Sequence, residues 1–260
     1  MLILLSPAKS MDYESPLATK KNSQPRLLPE TEHVLNQMRQ MSPDEISSLM
    51  RISAELGELN FRRFQDLAIE HNRKNSRPAI LAYHGDVYQG LAAGRRFDSR
   101  DFTEAQKTVR IISGLYGILR PLDLIQPYRL EMGAKVAVVQ AGDLYEFWAD
   151  KVNQLLLEDL TASPGPEVLI NLASKEYSLV VEAAEPMISP RFEEFAPNGR
   201  RRMVSFFAKR ARGEMAAWLI QNRVRSLKDL SSFDRDGYRY DKVRSTKQVP
   251  VFARPIDWQT

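Results

Sequence analysis

Residues 107–133 read KTVRIISGLYGILRPLDLIQPYRLEMG, and the folding of this stretch decides what the rest of the chain is built around. The pattern predicts a helix ending at Ser113, a tight Gly114-Leu115-Tyr116-Gly117 turn, and a second short helix reaching Gln126. Pro121 suits a first helical turn, and Pro127 stops the helix. Two helices joined by a glycine-bearing hairpin, here at about residues 103–126, are a known device for holding nucleic acid. Glycines let the backbone approach a phosphate, and the free N–H groups opening the second helix donate to its oxygens. Lys107, Arg110 and Arg120 add positive charge beside Gly114, Tyr116 and Gly117. The same pattern also fits an ordinary helical hairpin, its glycines only making the turn and Tyr116 packing in the core. Two residues separate the glycines, where the usual helix-hairpin-helix pattern has one.

A second basic stretch, GRRRMVSFFAKRARG at residues 199–213, carries six Lys and Arg residues and no acid. Alternation of Val204 and Phe206 predicts a strand over 203–208 that delivers Lys209, Arg210 and Arg212 together at its end. Clustered cations on a rigid element suit phosphate neutralisation, and a solvated charge cluster is the plain alternative. A helix is expected over 214–223. Arg212 at the start of that helix is electrostatically unfavourable there, which favours an anionic partner.

Around these segments the chain alternates strands and helices. Buried strands are expected at 2–5, 79–83 and 168–172, and short strands at 238–240 and 249–252. Helices are expected at 30–41, 43–57, 60–71, 101–113 and 144–160. Ser42 before Pro43, with Glu45 three residues on, reads as a capping box, and Gly57 as a stop. The fold expected is mixed α/β or α+β: one compact domain over 1–260, with a central buried sheet surrounded by helices.

Polar residues gather just after the expected strands: Ser6 and Lys9, Asp86 and Tyr88, then Ser174, Lys175, Glu176 and Tyr177. Strand ends are where ligand sites tend to form in such sheets. Ser6 with Lys9 can make a nucleophile and its base, and Glu176 an acid or base. No phosphate-binding loop, dinucleotide fingerprint or nucleophile elbow is present. His33, His71 and His84 stand alone without metal-ligand spacing, and Glu193-Glu194 reads as a solvated face, so no metal or cofactor is expected.

The 260 residues include 43% hydrophobic and 27% charged side chains, net charge +4 and no cysteine. That is ordinary globular composition, and it excludes disulfides, thiolate metal sites and thiol peroxidase chemistry. The apolar start is too short for a signal peptide, and no stretch approaches the roughly 20 apolar residues of a membrane span. A cytoplasmic protein without a membrane partner is expected.

Six segments, read together and in order, resemble the bacterial YaaA peroxide-stress family. They are MLILLSPAKSMDY at the start, HGDVYQGL at 84–91, SGLYGILRPLDLIQPYRLEMG at 113–133, DLYEFWAD at 143–150, NLASKEY at 171–177 and SFFAKRARGEMAAWLIQNR at 205–223. The resemblance implies a fold of the family's own type (the so-called cantaloupe fold), with a helix-hairpin-helix element and a positively charged cleft. It also implies binding of double-stranded or distorted DNA by shape, and survival of peroxide through limiting iron-dependent DNA damage. Carried onto this chain, the hairpin is 113–117, and Lys209, Arg210 and Arg212 are the basic segment. The leading expectation is a non-enzymatic DNA-binding protein, acting as a monomer. The alternatives are a glycosylase- or lyase-like enzyme acting on damaged nucleic acid, with Lys9, Asp123, Glu131, Lys175 and Glu176 as candidate catalytic residues, or an iron-handling protein.

Overall fold

The computed structural model describes residues 1–181 and 186–256. The apolar run Leu2–Leu5 is a strand with all four residues buried, as a continuous apolar run is when both faces of its sheet are covered. It is the centre of a five-stranded sheet ordered Gly117–Leu119, Val109–Ser113, Leu2–Leu5, Leu169–Asn171, Met187–Ile188. Both neighbours run parallel to it, with Ile3 opposite Val109 on one side and Ile170 on the other. After Leu2–Leu5 the next strand of this sheet lies to one side, and after Leu169–Asn171 it lies to the other. Where adjacent parallel strands send their connections in opposite directions, a crevice opens beyond their carboxyl ends.

A second, four-stranded sheet is ordered Arg201–Arg202, Arg191–Phe195, Val251–Pro255, Arg239–Tyr240. Phe192, Phe233, Tyr238 and Phe252 form an aromatic cluster on it. Trp218, from the Ser205–Gln221 helix, meets Phe233 edge to face and ties the helix to that cluster. The architecture is mixed α/β. Among the described residues no helix is long and apolar enough to cross a membrane.

Residues 103–126 are not a helix-hairpin-helix. The helix there is Ser99–Thr108, opened by a capping box between Asp98 and Asp101. Val109–Ser113 and Gly117–Leu119 then form an antiparallel β-hairpin inside the main sheet. Val109, Ile111 and Ile112 satisfy either period over so short a run, and β-branched residues in a doubly covered layer favour the strand. Gly117, at φ +67°, supplies the left-handed turn, and a Cβ there would lie 2.5 Å from the Trp148 ring. The stretch 203–208 is likewise not a strand: its residues 205–208 open the Ser205–Gln221 helix, with Val204 as the extended residue before it. From Ala211 onward that helix is almost wholly enclosed, and this burial overrides the local alternation. Residues 79–82 are a short helix leading into the strand Tyr83–His84.

A helical hairpin does occur earlier in the chain. Pro43–Met50 carries the expected Ser42–Glu45 capping box, but it stops at Arg51, whose φ is +51°. Ser53 caps a second helix, Ala54–Asp66, by accepting from the Leu56 amide. Gly57 is not a stop. It lies in the second helix, where a Cβ would fall 1.8 Å from Ser47 Oγ, so it allows the two helices to touch. The turn residues Arg51, Ser53 and Ala54 are exposed.

Candidate functional site at the strand ends

The crevice predicted by the sheet order is occupied by a cavity of about 460 Å³. Its lining brings together Ser6 and Lys9 from the first strand's end, Asp86 and Tyr88, and Ser174, Glu176 and Tyr177 beyond Leu169–Asn171. Glu131 joins them, as do Lys209 and Arg212 from the Ser205–Gln221 helix. Lys175 is exposed and is not part of the lining.

Two serines stitch the strand ends together. Ser6 Oγ accepts from the Ser174 amide at 2.8 Å and donates to Ser174 Oγ at 3.3 Å. Tyr88 donates its hydroxyl to the Ser6 carbonyl at 2.9 Å. Lys9 does not face Ser6 as a base. Its ammonium pairs with Glu131 Oε1 at 3.2 Å, where Arg129 also donates at 3.0 Å. Glu131 Oε2 is buried and has no hydrogen-bond partner among the described residues. Glu176 Oε1 accepts from the Gly133 amide at 3.1 Å.

Tyr128 donates or accepts with both Tyr83 and Ser113 at 2.6 Å, and burial pushes its pKa up to about 12. Burial likewise raises the phenols of Tyr88 and Tyr177. These tyrosines are neutral ring surface at physiological pH, not bases.

Lys209 and Arg212 reach the cavity because their helix sits unusually close to the short Asp86–Leu91 helix. A Cβ on Gly213 would lie 1.8 Å from the Val87 carbonyl oxygen, and one on Gly90 2.2 Å from that of Arg210. Only residues without side chains permit that approach. Residues three apart share a helix face, so Lys209 and Arg212 point the same way. Lys209 lies 3.8 Å from Asp86. Arg212 has no hydrogen bond or ion pair with any of the described residues, and burial alone lowers its pKa. Arg210 faces a separate hollow shared with Arg77 and Arg95.

The other expected phosphate-binding residues lie elsewhere. Gly114, Tyr116 and Gly117 are buried in the core. Arg110 is buried and bound to Asp159, which Arg26 also grips at 2.6 Å. Arg120 pairs with Asp123 at 2.9 Å, and Asp123, fully buried, also accepts from Ser23 at 2.6 Å. Both arginines are committed to internal carboxylates, and Asp123 is a structural knot that is not part of the cavity lining. Lys107 is exposed on the Ser99–Thr108 helix. Sequence reasoning missed the hairpin at 43–66, although Ser53 before an apolar-periodic run is an N-cap signal.

A family model described as peroxide stress protein YaaA matches residues 1–244. That span includes both the sheet with its strand-end cavity and the helical hairpin, and on this match the chain belongs to the YaaA family of peroxide stress proteins.

Proposed function

We propose that this stress protein acts as one domain in the cytoplasm, binding double-stranded or distorted DNA as a monomer without reading its sequence and so limiting iron-dependent oxidative damage. The observation that carries the reading is the helical hairpin at 43–66, whose exposed turn leads into the first turn of the Ala54–Asp66 helix. The opening amides of a helix have no intrahelical acceptor, and the helix dipole favours an anion there. Arg51, held in the left-handed conformation at the turn, adds a cation beside them. Contacts of this kind grip the sugar-phosphate backbone and carry no base information.

The test is fluorescence anisotropy with labelled duplex and bubble DNA across a salt series, comparing the native chain with Ala54→Glu. Affinity should fall linearly with salt on logarithmic axes. Ala54 is exposed, and a carboxylate in the first turn favours the helix while repelling phosphate. The variant should therefore keep its melting temperature and lose at least about tenfold in affinity, the equivalent of roughly 1.4 kcal/mol. Native affinity in this variant, or binding insensitive to salt, would remove the hairpin from the reading.

A further inference from the structure

We propose that the strand-end cavity is a binding site for a nucleoside monophosphate, with Arg212 and Lys209 holding the phosphate and the Glu131 side receiving an amino-bearing base. The site is independent of the helical hairpin: it is made by the sheet ends and the Ser205–Gln221 helix.

Arg212 is the first ground. A guanidinium taken out of water is costly unless an anion meets it. Arg212 lines the cavity, is half-buried, and has no acceptor among the described residues. Lys209, on the same face of the helix, has only Asp86 among the described residues, at 3.8 Å. A phosphate is the anion that matches a planar fork with a point charge beside it.

The volume is the second ground. A cavity of about 460 Å³ lies within the range of small-molecule sites, and a phosphate ion alone would leave most of it empty. Tyr88 and Tyr128 in the lining already use their hydroxyls on the protein, Tyr88 on Ser6, and Tyr128 on Tyr83 and Ser113. What they offer a ligand is ring surface, on which a base packs without regard to its identity.

The third ground is Glu131, a carboxylate in the cavity lining whose Oε2 has no hydrogen-bond partner among the described residues. Its partner oxygen is taken by Lys9 and Arg129, which hold the carboxylate oriented. An exocyclic amine of adenine, cytosine or guanine supplies the missing donor. Glu176, held by the Gly133 amide, is a second acceptor in the lining. A lining that is cationic at the helix and acceptor-rich at the loops matches a ligand with an anion at one end and N–H donors at the other.

Isothermal titration calorimetry tests this with dAMP, dCMP and dGMP, with inorganic phosphate and deoxyadenosine as fragments. At least one nucleotide should bind ten times or more tightly than either fragment. Arg212→Met should remove at least tenfold of the nucleotide affinity, leave that for deoxyadenosine unchanged, and leave the melting temperature equal or higher. Lys209→Met, at a half-exposed side chain, gives a second reading of the same loss should Arg212→Met fold poorly. Absence of heat with every nucleotide at millimolar concentration, or equal affinity in the variants, would overturn the proposal.

A nucleotide can reach the cavity free or extruded from DNA. Displacement of labelled bulged DNA, but not fully paired duplex, by dAMP assigns the extruded source, and lack of displacement assigns the free one. Ala54→Glu should leave the nucleotide heats unchanged, so failure of the DNA reading and failure of the cavity reading are distinguishable.

Discussion

Arg110 and Arg212 each sit in a stretch whose residue types suit a phosphate, yet their guanidinium groups end in different electrostatic company. Arg110 lies inside the sheet, where it donates to Asp159 and to the carbonyls of Gln106 and Val109. Asp159 receives Arg26 as well. Burial pushes the Asp159 pKa up, but the hydrogen bonds from both arginines outweigh that and hold it below the ordinary carboxylate range. Arg212 carries the same group into a cavity wall and meets no anion among the described residues. The first segment uses its charge to close the fold. The second keeps its charge for something the chain does not supply. A basic residue is therefore informative about ligands only once its internal carboxylates are known.

The sharpest way to break this contrast is Asp159→Ala. It strands Arg110, whose side chain is 5% exposed, as an unpaired charge in the sheet. Removing one partner of a buried pair costs about 3–5 kcal/mol, which urea denaturation would read directly. Arg212→Met should show no such loss, because it removes a desolvated charge and leaves nothing orphaned. If Asp159→Ala costs less than about 1 kcal/mol, well short of a buried pair, the two arginines are not different in kind.

A smaller effect is expected at the helix contact that carries Arg212 to the cavity. Gly213→Ala sets a methyl group against backbone atoms of Val87 and Leu91, which cannot rotate away. The two helices must part, at a cost of about 1–3 kcal/mol. Gly94→Ala is the matched control: its nearest atom would be the Leu81 side chain at 3.7 Å, an ordinary contact. The control should stay within about 0.5 kcal/mol of the native chain, as surface substitutions do. Equal losses in both would mean that close approach at Gly213 does not set the cost, since helix propensity favours alanine at either position.

These residues also show what sequence could and could not disclose. The Leu2–Leu5 strand was legible because four consecutive apolar residues leave no exposed face. The Leu144–Ala162 helix was legible because Val152 and Leu156 fall at helical spacing over many turns. The strand-end set Ser6, Asp86, Tyr88, Ser174, Glu176 and Tyr177 was legible as a list, and the sheet order brings it together. The β-hairpin at 109–119 was not, since five residues cannot distinguish the two periods. Nor was the fate of Arg110, whose carboxylate lies 49 residues further on. Gly213 and Gly90 read as isolated glycines until the two helices are seen in contact. Glu131 gained its place in the cavity through Lys9, a pairing that no local pattern contains.

The smallest expected effect tests whether the hairpin side of the comparison really is a closed polar network. His71 places Nδ1 2.7 Å from the Ile69 carbonyl and Nε2 3.0 Å from the Tyr116 hydroxyl. A neutral ring satisfies both, with Nδ1–H donating to the carbonyl and Nε2 accepting from the phenol. Burial lowers the His71 pKa below its ordinary value of 6.5, against the opposing pull of the Ile69 carbonyl. A lowered histidine pKa means that the unfolded chain takes up its proton first as the solution is acidified. The stability conferred by the neutral ring is thus fully present above about pH 6.5. It declines below that, and the decline ends once the folded protein is protonated too. Urea midpoints taken between about pH 7.5 and about pH 5 should fall in the native chain. The fall should be smaller in His71→Gln, which is neutral throughout. An identical fall in both would place the acid sensitivity elsewhere, and the turn at Tyr116 would lose its claim to be closed by that ring.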